Sequence, residues 1–501
     1  KPYRRIRGTT GYAGGAPFNC TRFDMTTIRT SPIRVRQHVR HLPADMDTPI
    51  SLFLDMARGG DGILLESAEV DGRWGRYSVL ACDMALYLIC REGKLECRIK
   101  DDRLSGLSMF SGMPFVEGLR SVMRALEVLP DPKAPDLPPI TRSLCGYFGF
   151  GMASLFHPKL APVMKPEDAE CVLCLPGTLL LFDHMYNRLA QVSLGSHRDM
   201  DRCAAFARSS GTSAAQSDVD AEPSEAVFQA SVGHIREMLR MGEAIQVVPS
   251  VRFSMPFTED SFSLYRRMRS ENASPYMFFM RLPGMTLFGS SPEVMVRCEN
   301  GRLLSAPIAG TRRRGAGVAE DEALAAELLA DPKERAEHMM LVDLARNDLG
   351  RLARPGSVEV EKLMMVERFS HVMHLTSRVT ALLEDGLDAV DVLAATFPAG
   401  TVSGAPKLRA MEIIADTESC PRGPYAGCIG WLGLDRDGVN LDTGITIRSM
   451  WVRDGRLYWQ AGAGIVHDSV PALEWKEVCN KSAIMRQVCF TTGEFHVPAH
   501  R

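Results

Sequence analysis

The chain has no long hydrophobic run, no excess of basic charge and no cysteine framework, and each absence removes a class of function. None of its apolar stretches approaches the roughly 20 residues that a membrane-spanning helix needs. The richest, residues 172–182, is interrupted at Pro176-Gly177 and reads as two buried strands. Lys and Arg number 58 against 61 Asp and Glu, and the net charge of -3 argues against general nucleic-acid binding. The 13 cysteines are scattered and odd in number, which favours a reduced, cytoplasmic setting over disulfide bonding. Cys171 and Cys174 form a C-x-x-C pair with no second pair to match it. Their alternation with apolar residues reads as strand core, with zinc as the alternative. No repeat of fixed period is visible, which disfavours solenoids and propellers. Residues 401–407 (TVSGAPK) lack the Gly-Lys-Ser/Thr ending of a P-loop, and residues 460–465 (QAGAGI) open no helix on a third glycine, so neither is a nucleotide fingerprint.

What is present is organised in segments. At 501 residues the chain is too long for one ordinary core, so two or more subdomains are expected. Residues 1–41 are Arg-rich and poor in acids, the composition of a flexible tail, an over-extended start or a transit peptide. A first globular region covers 42–207, with a predicted antiparallel hairpin of 86–90 and 95–99 turning at Glu92-Gly93. Residues 208–224 are small and polar, a linker or surface loop, and 492–501 form a C-terminal tail. The second region, 225–491, opens on a predicted helix capped by Ser224, with Val227, Phe228, Val232, Ile235, Met238 and Leu239 near helical spacing. Hairpin-like strand groups (246–251, 286–289, 294–297) then mix with helices at 321–330, 333–345, 389–396 and 407–415. Without strict β-α-β alternation, this predicts an α+β layered fold.

Several groups of residues are suited to binding a small dianion. Glu334/Glu337 and Glu474/Glu477 are two i,i+3 pairs, each on one helix face. Across a cleft they could hold a hard divalent cation; singly they read as solvated helix faces. Residues 307–315 (PIAGTRRRG) place a backbone N–H beside a hydroxyl, a grip for a carboxylate or simply a tight turn. Ser403 is a predicted cap and Pro406 a first-turn residue of the helix that follows them. The small residues of QAGAGI weaken a strand unless a ligand or another backbone approaches it closely. Arg448 can offer a bidentate fork, although a lone Arg is more often a surface cation. His371 and His374 are placed on one helix face, where a His-metal site is conceivable.

The blocks PIAGTRRRG, DPKERAEHMMLVDLARNDLGR, FSHVMHLTSRV, FPAGTVSGAPKLRAMEII, LDTGITIRS and QAGAGIV followed by EWKEVCNK resemble, in order and spacing, the signature blocks of the chorismate-utilising enzymes over about half the chain. Among these the chain is most similar to the large subunits of anthranilate synthases. The resemblance implies a layered fold of mainly antiparallel sheets covered by helices, with the active site in a cleft. Sister enzymes carry a catalytic lysine in place of Ala309, or a lysine base in place of Gln246. Neither residue here can do that work, so the implied nucleophile is ammonia.

The resemblance further implies Mg²⁺ on the ring carboxylate of chorismate. Glu337 and Glu477 would be its direct ligands, with Glu334 and Glu474 completing the shell through water. It assigns Glu293 as the general acid for the departing C4 hydroxyl and His374 to the loss of pyruvate. The second carboxylate falls to Arg448, Tyr425 and the backbone of Gly462, Ala463 and Gly464, with Gly310 and Thr311 completing the pocket and Lys481 as an extra positive contact. Ser67, at the end of LLES, with Pro275, Tyr276 and Met277 in SPYM, resembles the pocket through which L-tryptophan inhibits this family. Taken without the family, these are merely two strands. Ala273 stands where many relatives have Pro. No segment has the Cys elbow of a glutaminase, so a separate glutamine amidotransferase subunit is expected to supply ammonia. The alternatives are an aminodeoxychorismate synthase component I and a catalytically silent tryptophan-binding regulator.

Overall fold

The computed structural model of the chain describes residues 32–57, 60–67, 75–165, 168–197, 219–369 and 372–490. The basic N-terminal tail up to residue 31, residues 208–218 of the expected linker, His371 and the C-terminal tail lie outside the described residues.

The predicted hairpin forms between strands Tyr77–Arg91 and Lys94–Ile99. Its two-residue turn is possible because Glu92 and Gly93 both take positive φ (50° and 73°), the backbone that matches strand twist. The apolar run expected as two strands is instead one, Cys171–Asp183. Pro176 is tolerated because it lies opposite Met84, where the ladder with Tyr77–Arg91 slips register and one of its hydrogen bonds is already lost. Gly177 is needed there, since a Cβ would collide with the Asp83 carbonyl. Both cysteines of the C-x-x-C pair are buried in this strand with unpaired thiols, as strand core.

Among the described residues one continuous ladder of 20 strands branches at these two long strands into two sheets. One half of each continues through Gly62–Glu66, Tyr276–Leu282, Met285–Ser291, Ser449–Arg453, Arg456–Gly462 and Ser250–Pro256. The other half continues through Ser143–Phe148, Cys428–Gly433, Leu441–Ile445, Val294–Glu299, Arg302–Ser305 and Val372–Leu382. All these pairings are antiparallel, and helices cover them, so the α+β layered class holds. Strands from the first 200 residues pair directly with strands beyond residue 270, as Glu66 does with Met277.

The helix Glu225–Arg240 buries Phe228, Val232, Ile235 and Leu239 at spacings of 4, 3 and 4, while Val227 is exposed. Ser224 precedes it in extended conformation without making a side-chain cap bond. Pro406, not Ser403, occupies the N-cap position of the helix Lys407–Thr417; the Ser403 hydroxyl instead donates to Ala399 O at 2.9 Å, closing the short turn Gly400–Ser403. His374 lies in the strand Val372–Leu382 rather than on a helix, because alternating burial against the strand Ile308–Arg313 decides that segment.

Two crossings from sheet to sheet position the site. Met285–Ser291 passes into Val294–Glu299 through Pro292-Glu293, and Leu441–Ile445 passes into Ser449–Arg453 through residues 446–448. The crossings are clamped side by side: Ile445 N–H donates to Glu293 O at 3.0 Å and Ser290 N–H donates to Arg448 O at 3.1 Å. Glu293 and Arg448 therefore meet at the seam between the sheets.

Candidate active site

Glu293 is buried at the seam, and burial pushes its carboxyl up to about 7, opposed by the Thr401 hydroxyl and the Lys481 ammonium. A carboxyl there is protonated for much of the time near neutral pH and can give up a proton.

Arg448, across the seam, holds φ of 50°, a left-handed backbone that aims its side chain inward. Among the described residues its side-chain hydrogen bond goes to a carbonyl, Lys481 O at 2.8 Å, and no carboxylate pairs with it. Burial lowers its pKa, with only Tyr425 opposing. A desolvated guanidinium without a counter-ion is a site for an anion.

Around it lie the other predicted anion-binding residues. The Tyr425 hydroxyl is packed against Gly462: a Cβ there would stand 2.9 Å from it and 2.7 Å from Pro249 O. Ala463 N–H already donates to Pro249 O at 3.2 Å, so a ligand would share or displace that bond. Gly464 lies on Gln246, whose Nε2 would be 2.5 Å from an added Cβ; the buried Gln246 Oε1 has no hydrogen-bond partner within the protein. Lys481 ties this corner together, with Nζ donating to Gly462 O at 3.1 Å and paired with Glu477 at 2.7 Å.

Gly310 and Thr311 sit at a bulge in the strand Ile308–Arg313, where Gly310 takes φ of 63°. His374 approaches them through Nδ1, 2.9 Å from Gly310 O and 3.1 Å from Thr311 Oγ1. A carbonyl only accepts, so Nδ1 carries the proton and Nε2 keeps its lone pair. Burial lowers the His374 pKa, with the Gly310 bond opposing and Arg448 adding to the fall, so the ring is neutral near neutral pH.

Both carboxylate pairs fall on helices, as expected. Asp331 caps the helix Pro332–Gly350 by accepting from Lys333 N and Glu334 N at 3.0 and 3.3 Å, which fixes the turn that carries Glu334 and Glu337. Glu474 and Glu477 lie in the first two turns of the helix Pro471–Phe490. The helices face one another: the Glu337 carboxyl is raised by desolvation, then by the charges of Glu334 and Glu477, with Lys481 and Lys333 opposing. Desolvation and Glu477 likewise raise Glu474. Among the described residues no three His, Cys, Asp or Glu side chains gather closely enough to hold a metal alone. Two facing carboxylates could hold a hard cation only with further oxygens from water or a bound anion, a donor set suited to Mg²⁺.

The other four predicted residues converge elsewhere. Ser67, Pro275, Tyr276 and Met277 line one cavity of about 230 Å³, together with Val79, Ile140, Arg297, Trp431 and Asp442. Its walls are braced: the Tyr276 hydroxyl donates to Asp442 Oδ1 at 2.6 Å and receives Arg297 Nη2 at 3.1 Å, while Arg297 and Asp442 pair at 2.8 Å. Glu66, the acid of LLES, faces Arg269 through two bonds of 3.0 Å and receives the Tyr265 hydroxyl at 2.7 Å. Ala273 is exposed. The cavity and the seam share strands: Tyr276 pairs with Ser291, two residues before Glu293, and Asp442 lies three before Ile445. Arg297 carried no sequence signal, and Asp442 lay inside the block LDTGITIRS without a role; 145 positions apart, they are brought together by the ladder between Val294–Glu299 and Leu441–Ile445. Asp348, Thr401 and Lys407 lay inside the recognised blocks without a role, yet Asp348 and Thr401 line a second cavity against Glu293.

Comparison with known proteins agrees with this geometry. Residues 96–487 match the family of chorismate binding enzymes. The chain is 39% identical over 495 residues to anthranilate synthase component 1 of Geobacillus stearothermophilus, covering 92% of this chain and 94% of that protein. It is 37% identical over 465 residues to the protein of the same name from Pseudomonas aeruginosa, covering 88% and 93%. The crystal structure of anthranilate synthase component I from Streptococcus pneumoniae superposes with a TM-score of 0.67 at 32% identity, covering 84% and 94%. The menaquinone-specific isochorismate synthase of Escherichia coli shares the fold, with a TM-score of 0.67 at 19% identity over 92% and 96%. An acid and an unpaired guanidinium at the seam of this sheet architecture, with that match over most of its length, make the chain an enzyme of the chorismate-binding family.

Proposed function

We propose that the chain is the large subunit of an anthranilate synthase, converting chorismate and ammonia to anthranilate, pyruvate and water, the first step of tryptophan biosynthesis. The observation that carries this reading is the Glu293–Arg448 seam: a buried carboxyl that can act as an acid beside a guanidinium that awaits an anion. The similarity to anthranilate synthases, and the absence of lysine at positions 309 and 246, support ammonia as the nucleophile.

In this reading Arg448 takes the enolpyruvyl carboxylate with the Tyr425 hydroxyl and the strand end at Gly462–Gly464, while Gly310 and Thr311 border the ring. Ammonia attacks C2, the C4–O bond breaks, and Glu293 gives its proton to the departing hydroxyl, which leaves as water. His374 Nε2 then accepts the C2 proton as the C3–O bond breaks and the ring becomes aromatic; the departing enolpyruvate takes that proton on its methylene carbon and leaves as pyruvate, which restores His374. Glu337 and Glu477 would hold Mg²⁺, with Glu334 and Glu474 through water, and when bound it supplies charge neutralisation at the ring carboxylate. The facing, mutually repelling carboxylates fit such a cation.

The ammonia comes from a separate glutamine amidotransferase subunit, a reading supported by the relatives' designation as component 1. The 230 Å³ cavity takes L-tryptophan as an inhibitor; its apolar and aromatic walls with ionic ends suit an aromatic zwitterion. No described helix is long and apolar enough to cross a membrane, and the free, mostly buried cysteines support a reducing cytoplasm.

The test is a fluorescence assay of purified protein with chorismate, Mg²⁺ and an ammonium salt at mildly alkaline pH. Anthranilate should appear and should be abolished by EDTA and by Glu337→Ala. A 4-amino product would instead identify an aminodeoxychorismate synthase, and tryptophan binding without turnover a silent regulator.

A further inference from the structure

Against Glu293, and lined by none of the residues of the anion-binding corner, lies a second cavity of about 40 Å³, walled by Leu341, Leu344 and Ile445 and by the polar groups of Asp348, Thr396 and Thr401. Its volume exceeds the roughly 10–15 Å³ needed for one water, and a water there has polar partners. The Thr401 Oγ1 is buried beside Glu293, whose carboxyl it lowers, yet it makes no well-formed hydrogen bond within the protein. Asp348 receives Lys407 Nζ at 2.8 Å, and the same ammonium donates to Thr396 O at 3.0 Å.

We propose, building on the anthranilate synthase reading, that Thr401 and Asp348 are positioning residues for the acid Glu293, acting through water held in this cavity. The water accepts from the Thr401 hydroxyl and donates one proton to Asp348 and the other to Glu293. Its three hydrogen bonds account for three features at once: a hydroxyl without a well-formed bond, an ion pair beside a cavity, and a buried acid with room against it. The water occupies the inner oxygen of Glu293, so the outer oxygen carries the proton toward the substrate. When Glu293 has given that proton to the departing C4 hydroxyl, a carboxylate is left in a buried setting, where it is costly without donors. The water, held in orientation by the Thr401 hydroxyl, is that donor. The proton released by the nitrogen after it bonds to C2 restores Glu293, so the cycle consumes nothing beyond chorismate and ammonia.

The charged groups around this arrangement are few. Lys481 acts on Glu293 from the helix Pro471–Phe490; beyond the cavity, Asp348 is raised by burial and lowered by Lys407 and Arg351. His157, bonded to Phe397 O at 2.8 Å, feels Lys407 from the far side.

The experiment compares the full-length protein with its T401V and T401S variants. Infrared difference titration reads the Glu293 carboxyl directly, with E293Q as the blank, and steady-state kinetics with chorismate and ammonium are measured in parallel. Thr401→Val keeps the side-chain shape and removes the donor, so the Glu293 titration should move upward by about one pH unit. The rate constant kcat should fall roughly ten-fold while the KM for chorismate changes little, and Thr401→Ser should restore both. A Val variant that titrates with the native protein, or a Ser variant that fails to restore it, overturns the proposal. If the native protein makes no anthranilate, the functional reading falls, while the infrared titration still decides whether Thr401 acts on Glu293.

Discussion

Replacing Glu293 with Gln should abolish turnover and, above neutral pH, make the protein more stable. The carboxyl sits at about 7 in the folded chain because burial penalises its charged form, whereas its ordinary value is 4.5. Between those values the folded state binds more protons than the unfolded one, so native stability falls as pH rises from about 4.5 to about 7 and levels off above. At about 1.4 kcal/mol per pH unit, the gap is worth about 3 kcal/mol by pH 8. Gln has nearly the same shape and no charge, so the variant lacks this loss. With about 2 cal/mol/K of unfolding entropy per residue, 501 residues give about 1 kcal/mol/K, and the difference becomes roughly 3 °C in Tm. Thermal denaturation of native protein and variant at pH 5 and pH 8 is the assay. The two should separate by roughly 3 °C more at pH 8 than at pH 5. A separation independent of pH would show that Glu293 is charged at little cost in the folded protein, and its role as an acid would fall with it.

Arg448→Ala should reduce kcat/KM for chorismate by about 10²–10³-fold without destabilising the fold, since no carboxylate is left unpaired; Arg448→Lys should not restore it, as steady-state kinetics would show. Gly310→Ala forces a left-handed side-chain position against Leu328 and Glu334, at 3.0 and 3.1 Å, and should cost about 1–2 kcal/mol in denaturant unfolding while displacing the carbonyl that His374 binds. Filling the larger cavity with Ser67→Phe should raise the tryptophan concentration for half-inhibition at least about ten-fold in the anthranilate assay. Arg297→Ala strips Asp442 and Tyr276 of their shared partner and should weaken inhibition in the same titration; unchanged inhibition would separate that brace from the effector site.

Much of this was legible in the chain. The hairpin at Glu92-Gly93 follows from a turn pair flanked by alternating residues, and the helix after Ser224 follows from its apolar spacing. Where reading failed, a long-range partner decided. Pro176-Gly177 looks like a break, but a register slip in the partner strand absorbs it; Ser403 looks like a cap, but the turn before it claims its hydroxyl; His374 looks helical, but the strand Ile308–Arg313 claims its backbone.

The sequence by itself determined most of the local elements, the family and the kinds of group at hand, because periodicity, turn chemistry and long motifs are properties of neighbours in the chain. The tertiary structure alone decided which of those groups share an environment. The Glu293 carboxyl is pushed up only because the crossing strands bury it, and among the described residues Arg448 meets no carboxylate only because of where the paired crossing places it. Ser67 reaches Tyr276 through the pairing of Glu66 with Met277, about 200 positions apart, and Asp348 meets Thr401 only across a cavity. Desolvation and charge pairing depend on distance in space, which the order of residues does not contain.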